Sequence, residues 1–480
     1  MESKGMAIRK IIFLVCVLLT QGSWANEFSQ CEDADQFPEL NDSLCGSVSV
    51  PLLHEAKNDR TIELFVRKFP ALQQSQGQLW LVAGGPGESG ASFYSTINTF
   101  RESFASLDIF VADHRGAGFS SSICRGENVD SIAGKVLVGE EWGQCFLQMY
   151  SDLEYVSAFS ITNAAKDLQL LMKSLGGSGQ NFIYAVSYGT QLVLRASQLK
   201  GFEVDGLILD SLVPMQDDQA FDLSQRSKVV DIVGKDLLSK CDHLKACGVD
   251  GEQMKASLSK LLAKSNNLQD FSASLPNGSL TNTLGMMLDI PHIRNQLPAI
   301  IQSLANNDAS QLVSAVAEIE SYYAQFNPGY NNFGSSIPLV QIITASENNL
   351  RPQLTKAEVN QEQTDLLFTS PLPSLMAENS MPTYDKDAFY AALPKTLPRT
   401  MVIHGSLDPK THFKGAVAHS DELAKRGKLA LITIVDGVHF SALNAPKCFK
   451  QHAQLFVSNE AKSVTCHDPS SLVRFNTKSF

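Results

Sequence analysis

Short apolar runs alternate along this chain with longer segments in which apolar residues recur every three or four positions. Short runs that end in glycine, aspartate or serine are typical of strands buried in a sheet. The segments with the longer period are typical of helices that cover such a sheet. The alternation predicts an α/β fold with a mostly parallel sheet covered on both faces. The predicted buried strands are 78–82, 107–112, 182–184, 206–209, 400–404 and 430–435.

Two local patterns extend this prediction. Alternating apolar positions at 48–52 and an apolar run at 61–66, separated by a polar turn, predict an antiparallel hairpin at a sheet edge. Apolar residues at helical spacing between Ala164 and Leu175 predict a helix. Thr162 is the candidate N-cap of this helix and Gly176 its stop.

A helix-rich segment interrupts the strands. Helical periodicity dominates residues 214–395, and strands return only at Thr400. This organisation predicts a sheet-containing core in two parts, 26–213 and 396–480, with a helical lid inserted between them. An independent domain with its own core is the alternative. The lid is favoured because ligands of open α/β sheets bind beyond the carboxyl ends of the strands, where this insertion would project.

The N-terminal residues 1–25 are typical of a secretory signal peptide. A positively charged leader precedes nine apolar residues, 11–19, and a small-x-small cleavage site, Ser23-Trp24-Ala25. The apolar run is much shorter than the roughly 20 residues that span a bilayer. We therefore expect a secreted or periplasmic protein that is not stably inserted in a membrane.

Composition and cysteine spacing agree with this expectation. A net charge of −11 disfavours nucleic acid and anionic membranes as partners, because both require clustered Lys and Arg. One cysteine lies in the leader, and the other eight form four close couples, as expected for disulfides in an oxidising compartment. The spacing is not that of a zinc site, and no metal is expected. The predicted pairs are Cys31 with Cys45, Cys124 with Cys145, Cys241 with Cys247, and Cys448 with Cys466.

The candidate chemistry centres on Ser187. The sequence turns sharply after the strand at 182–184 and continues as a helix, and Gly189 follows Ser187 by two positions, as in a G-x-S-x-G nucleophile elbow. Ala185 occupies the place of the first glycine. A serine nucleophile requires a base and a carboxylate that orients the base. Asp408 and His439 follow the strands 400–404 and 430–435, so they are the predicted acid and base, and Asp436 is the alternative acid.

Glycine-rich turns follow two other strands. Residues 84–90 would bring backbone N–H groups close to Ser187, and Gly85 (or Gly84) and Tyr188 are the predicted oxyanion donors. Residues 113–120 lack the lysine and the spacing of a phosphate-binding loop. The sequence therefore predicts no nucleotide or other cofactor.

These motifs resemble a known family. GGPGESG at 84–90, DHRGAGFS at 113–120, SYGT at 187–190, GSLDP at 405–409 and GVH at 437–439, with CGSVSVPLL at 45–53, are similar to the secreted tripeptidyl-aminopeptidase branch of the prolyl-aminopeptidase family of α/β-hydrolases. The resemblance covers about 45–213 and 396–450, but not the insertion. The chain departs from the family at Ala83 and Ala185. The resemblance implies a serine exopeptidase with Ser187, Asp408 and His439 as its catalytic triad.

The expected partner is a peptide with a free N-terminus, and the sequence leaves the oligomeric state open. An aminopeptidase must bind the substrate ammonium, and Glu88, Glu318 and Glu347 are the candidate carboxylates. A carboxylesterase or lipase-like hydrolase with the same triad is the alternative, because fold and triad do not fix the acyl substrate. A non-catalytic binding protein is a third, disfavoured possibility.

Overall fold

The computed structural model describes residues 28–56, 59–244, 247–264, 275 and 278–475. The predicted signal peptide, 1–25, lies outside the described residues. Within them, a ten-stranded sheet forms the centre of the molecule, in the order β1-β2-β3-β5-β4-β6-β7-β8-β9-β10. The strands are β1 Ser29–Gln30, β2 Leu44–Pro51, β3 Thr61–Phe69, β4 Gly77–Val82, β5 Leu107–Ala112, β6 Gln180–Val186, β7 Gly206–Asp210, β8 Thr400–Gly405, β9 Leu429–Ile434 and β10 Val464–Cys466.

The sheet is antiparallel at one end and parallel through the rest. β1, β2, β3 and β5 pair antiparallel, and every pair from β5 to β10 is parallel. The α/β class is therefore confirmed. β2 and β3 form the predicted hairpin, and each predicted buried strand is present within a few residues of its expected bounds. The short edge strands β1 and β10 carry too few apolar residues to be recognised from the sequence.

Each face of the sheet is covered by helices. Along β4, β6, β7 and β8, alternate side chains point to opposite faces, as the period of two in a strand requires. Trp80, Ile183 and Leu207 belong to one apolar cluster, which contains the helices Ile161–Leu175 and Tyr188–Ala196. The neighbouring residues Leu79, Phe182 and Ile208 belong to a second cluster, with the helices Ile97–Ser103 and Pro446–Val457.

The helix Ile161–Leu175 begins one residue earlier than Thr162. Its N-cap is Ser160, whose hydroxyl accepts a hydrogen bond from the backbone N–H of Asn163. The predicted cap at Thr162 is therefore wrong. The Thr162 hydroxyl instead accepts a hydrogen bond from Arg195, which the sequence does not reveal. Gly176 ends the helix as predicted.

Between β7 and β8, the described residues form helices and no strands. The first six of these helices enclose an apolar cluster of their own, which Leu407, Val473 and Phe475 join from outside the insertion. The helix Ile337–Glu347 instead packs in the apolar cluster on one face of the sheet. The insertion is thus packed internally and also fastened to the rest of the protein. Its α-helices are Arg226–Ser239, Gly251–Lys264, Leu280–Met287, Pro291–Arg294, Leu297–Ala305, Ser310–Phe326, Ile337–Glu347, Lys356–Gln363 and Leu372–Met376.

Four disulfides link segments that are close in sequence. The disulfides join Cys31 to Cys45, Cys124 to Cys145, Cys241 to Cys247 and Cys448 to Cys466, which are the pairs expected from the spacing. No helix in the described part of the chain has the length and hydrophobicity needed to cross a membrane. Four further α-helices lie outside the insertion: Glu141–Ser151, Leu153–Ser157, Phe413–Ala424 and Ser441–Asn444.

Candidate active site

Ser187 lies at the sharp turn between β6 and the helix Tyr188–Ala196. Its φ of 55° is in the left-handed region, which is strained for a residue with a side chain, and its N–H donates to the carbonyl of Asp210 in β7. A methyl group on Gly189 would lie 2.6 Å from the carbonyl oxygen of Val82. Only glycine lets the helix approach β4 this closely.

The alanine at position 185 fits the turn without difficulty. Ala185 is still part of β6, fully buried between Val82 and Leu209 on the neighbouring strands. Its methyl group belongs to the apolar cluster on that face of the sheet. The departure from the glycine pattern is therefore accommodated by packing, whereas the second glycine of the pattern, Gly189, is required.

Asp408 and His439 are brought together at the ends of β8 and β9. Nδ1 of His439 donates to Oδ2 of Asp408 across 2.8 Å, and the same oxygen accepts from the hydroxyl of Thr411. The other oxygen, Oδ1, accepts the backbone N–H groups of Lys410 and Thr411, both at 2.8 Å. All four bonds hold the carboxylate in one orientation.

The environment keeps Asp408 ionised. Complete burial alone would raise its pKa, but the adjacent His439, His404 and the bonded N–H of Thr411 hold the pKa well below its usual value. His404 is itself buried, and burial lowers its pKa. Its Nε2 donates to the carbonyl of Thr411, which further fixes the turn that carries Asp408.

Asp436, the alternative acid, faces away from this arrangement. One of its oxygens lies 2.7 Å from the ammonium of Lys240, and the other accepts the backbone N–H of Val473. Three residues before His439, it belongs to the same turn and is already paired. Of the two carboxylates weighed from the sequence, Asp408 is the one that contacts the imidazole.

The glycine-rich loop 84–90 lies against Ser187. A methyl group on Gly84 would be 3.3 Å from Cβ of Ser187 and 3.1 Å from Oε2 of Glu88. Gly85 has a φ of 105° and precedes a cis bond to Pro86. Gly85, Tyr188 and Ser187 line one cleft, so the two residues predicted to donate their N–H groups belong to the same cleft as the serine.

This cleft encloses about 560 Å³ of space, part of it open to solvent. Both parts of the fold contribute to its walls: the loops at the carboxyl ends of the strands, and residues of the insertion. A more spacious surface pocket, about 1430 Å³ when its open space is measured in the same way, lies elsewhere, around the start of β6 and the end of the helix Ile161–Leu175. The lining of the smaller cleft comprises Gly85, Pro86, Ser187, Tyr188, Gln191, Val213, Pro214, Met215, Gln216, Phe221, Asp222, Leu223, Arg226, Asn348, Lys410 and Thr411.

The three predicted ammonium-binding carboxylates lie in different places. Glu88 is exposed beside Gly84 and has no hydrogen-bonded partner within the described part of the chain. Glu347 is buried, with Oε2 at 2.6 Å from Arg195 and Oε1 accepting from the hydroxyl of Tyr384. Glu318 accepts from Gln296. Neither Glu318 nor Glu88 lines the cleft itself, but Glu88 lines a small neighbouring pocket together with Gly84. Of these three carboxylates, only Glu88 lies beside Ser187 without a hydrogen-bonded partner among the described residues.

Asp113 organises the glycine-rich loops, and the sequence reasoning did not single it out. It is buried, and it accepts hydrogen bonds from the hydroxyl of Ser89 and the N–H groups of Gly90 and Phe119. Burial raises its pKa, and these donors oppose the rise. The signal in the sequence is Gly118, five positions after Asp113. A methyl group there would lie 2.0 Å from the carboxylate, so this position requires glycine.

A second buried acid holds the same region. The guanidinium of Arg115 makes two bonds of 2.6 Å to the carboxylate of Asp167, which also contacts His54. This pair ties the turn after β5 to the helix Ile161–Leu175.

Among the residues that the structure describes, no group of three or more His, Cys, Asp or Glu side chains is arranged to hold a metal ion.

The comparison with protein families agrees with the observed sheet. A family described as the alpha/beta hydrolase fold matches residues 79–288, which include the elbow and the first glycine-rich loops. The protein has the α/β-hydrolase fold. Its strand order, the strained Ser187 and the Asp408–His439 pair are those of a serine hydrolase of this fold.

More distant similarities were found among individual proteins. The serine protease Hip1 of Mycobacterium tuberculosis and that of Mycobacterium bovis are each 22% identical over 478 residues, covering 90% of this chain and 88% of theirs. Among solved structures, epoxide hydrolase VrEH1 from Vigna radiata is 14% identical with a TM-score of 0.39, covering 83% of this chain and 95% of that one. A thermostable carboxyl esterase from Bacillus coagulans is 11% identical with a TM-score of 0.41, covering 86% and 98%.

Proposed function

We propose that this protein is a secreted serine aminopeptidase that releases N-terminal amino acids or short peptides through an acyl-enzyme on Ser187. The observation that carries the proposal is the 2.8 Å hydrogen bond between His439 and the buried Asp408, at the same sheet edge as the strained elbow. A carboxylate in that position fixes the imidazole tautomer whose Nε2 can accept the serine proton.

In the proposed reaction, His439 removes the proton from Ser187 as its oxygen attacks the substrate carbonyl. Asp408 stabilises the imidazolium that forms. The backbone N–H groups of Tyr188 and Gly85 hold the oxyanion, and His439 then returns the proton to the leaving amine. Water, activated by the same imidazole, releases the acyl group and regenerates Ser187.

The preference for a free N-terminus rests on Glu88. Its carboxylate borders the same glycine as Ser187 and forms no salt bridge or hydrogen bond with a described side chain, although the charge of Lys410 is near enough to interact with it. An ammonium one residue from the scissile carbonyl would lie within reach of such a group. Glu347 is not retained for this role, since Arg195 and Tyr384 already occupy its two oxygens.

Export is part of the proposal. Four disulfides are typical of proteins that fold in an oxidising compartment, and the serine protease Hip1 relatives support a peptidase over other acyl hydrolases. The expected partner is a peptide with a free N-terminus. Nucleic acid and a stably inserted membrane segment of the mature protein are not expected.

A substrate panel tests the proposal. Aminoacyl and tripeptidyl anilides with free amines are assayed beside their N-acetylated forms and beside short-chain p-nitrophenyl esters. The proposal expects turnover of a free-amine substrate and at least a tenfold loss on acetylation, the order of one charged hydrogen bond. Cleavage of esters alone would instead support the carboxylesterase. Substitution Ser187→Ala is the inactive control, and failure of wild-type Ser187 to react with a fluorophosphonate would favour a binding protein.

A further inference from the structure

Two cationic side chains line the cleft around Ser187, and the proposed reaction uses neither. Arg226 is the first residue of the helix Arg226–Ser239, and Lys410 follows Asp408 by two positions. Lys410 has a partner, because its ammonium lies 2.8 Å from Asp289. Arg226 forms no salt bridge or hydrogen bond with any side chain that the structure describes, although it is partly buried.

The acidic groups around Arg226 bind other groups, although one oxygen of Asp289 is buried without a hydrogen-bond partner. Asp408 accepts four hydrogen bonds, and Asp289 binds Lys410. Asp222, the carboxylate that lines the same cleft, accepts the N–H of Leu350 and both the N–H and hydroxyl of Ser224. Among the described residues, no acidic group is therefore in direct contact with the guanidinium of Arg226.

An unpaired positive charge is unusual at the position of Arg226. Burial lowers its pKa, against the opposing charges of Asp408 and Asp289, but a guanidinium remains charged at neutral pH. A cation in the first turn of a helix also faces the unfavourable end of the helix dipole. A partly buried arginine under these two penalties is best accounted for by an anion that arrives from outside.

We infer that the cleft binds a carboxylate of the substrate through Arg226, with Lys410 adding positive charge beside it. The planar guanidinium can form two parallel hydrogen bonds to a carboxylate, which a single ammonium cannot. The carboxylate belongs either to an acidic side chain or to the C-terminus of a short peptide. With Glu88 beside Gly84 and Ser187, the surroundings of the serine then offer one group for each charge of a small zwitterionic peptide.

The inference rests on the proposed function, because it assumes that the substrate binds beside Ser187. The first test nevertheless needs no peptide substrate. The rate at which a fluorophosphonate labels Ser187 is measured with glutarate or the neutral glutaramide as competitor. Glutarate should slow labelling, and glutaramide should not. Arg226→Gln should abolish the difference. Lys228→Gln, which removes an exposed cation from the same helix, should preserve it.

Substrate pairs then distinguish the two sources of the carboxylate. Glutamyl and glutaminyl anilides test an acidic side chain, and a dipeptide and its C-terminal amide test the terminal carboxylate. In one of these two pairs, kcat/KM of the charged substrate should exceed that of the neutral substrate by roughly tenfold, which corresponds to the free energy of one charged hydrogen bond. Arg226→Gln should bring that ratio close to one, a comparison that cancels any general loss of activity.

The outcomes separate this inference from the proposed function. Selective protection by glutarate without any peptide turnover would overturn the aminopeptidase and leave the carboxylate site standing. Equal labelling rates with both competitors, together with equal kcat/KM in both substrate pairs, would overturn the carboxylate site. If Arg226→Gln does not fold, these wild-type comparisons still decide the matter.

Discussion

Replacing Asp408 with asparagine is the most direct test of the proposed triad. Oδ1 of Asp408 accepts two backbone N–H groups, so the asparagine amide oxygen should take that place and its NH2 should face Nδ1 of His439. That NH2 donates a hydrogen bond, so Nδ1 must become the acceptor and the imidazole proton moves to Nε2. The imidazole can then no longer accept the proton of Ser187.

The expected loss is large and confined to activity. An acid replaced by its amide in such a triad lowers kcat by about 10⁴, or about 5 kcal/mol of transition-state stabilisation. The side chain is isosteric and keeps its two backbone bonds, so the protein should still fold. Steady-state kinetics and fluorophosphonate labelling measure the loss, and circular dichroism monitors the fold.

The matched control is Asp436→Asn, the same chemical change at the alternative acid. Asp436 binds Lys240 and the N–H of Val473 rather than His439, so this variant should keep its activity within about tenfold. The reasoning is refuted if Asp408→Asn retains more than a tenth of wild-type kcat/KM, or if Asp436→Asn is the variant that loses activity.

Three further predictions concern other residues. Glu88→Gln should raise KM for free-amine substrates about tenfold without affecting esters, whereas Glu318→Gln, whose carboxylate is already bonded to Gln296, should change neither. Gly189→Ala should destabilise the fold by about 1–3 kcal/mol, because its methyl would meet a carbonyl at 2.6 Å, while Gly143→Ala, with nothing within 4 Å, should be neutral or stabilising in thermal unfolding. Burial raises the pKa of Glu127 from 4.5 to about 7; since the folded state then binds the extra proton, its stability should fall by about 3 kcal/mol as pH rises from 4.5 to 7. Glu127→Gln should remove that pH dependence in denaturant titrations.

Opposite results would be equally informative. An unchanged KM in Glu88→Gln would remove the support for ammonium binding, and a normal Gly189→Ala variant would mean that the helix can move away from β4. If wild type and Glu127→Gln show the same pH dependence, the burial of Glu127 does not perturb its protonation. Each comparison uses one substitution against a control in the same fold.

The placement of the candidate site residues relative to the strands could be predicted from the sequence. The apolar runs and the turn residues directly after them placed Ser187, Asp408 and His439 at one edge of a parallel sheet, because the carboxyl ends of parallel strands share that edge. The α/β-hydrolase fold expected from the resemblance is confirmed. The N-cap at Thr162 was wrong because Ser160 is an equally good cap and only the backbone geometry chooses between them.

The sequence by itself therefore determined the strands, the elbow and the cysteine couples, all of which depend on neighbours close in the chain. The tertiary structure alone decided which charged groups are free. Glu347 is neutralised by Arg195, 152 positions away, while Glu88 and Arg226 have no such salt bridge with any residue in the described part of the chain. A side chain's charge is available to a substrate only if no distant residue has packed against it, and distant packing leaves no mark in local sequence.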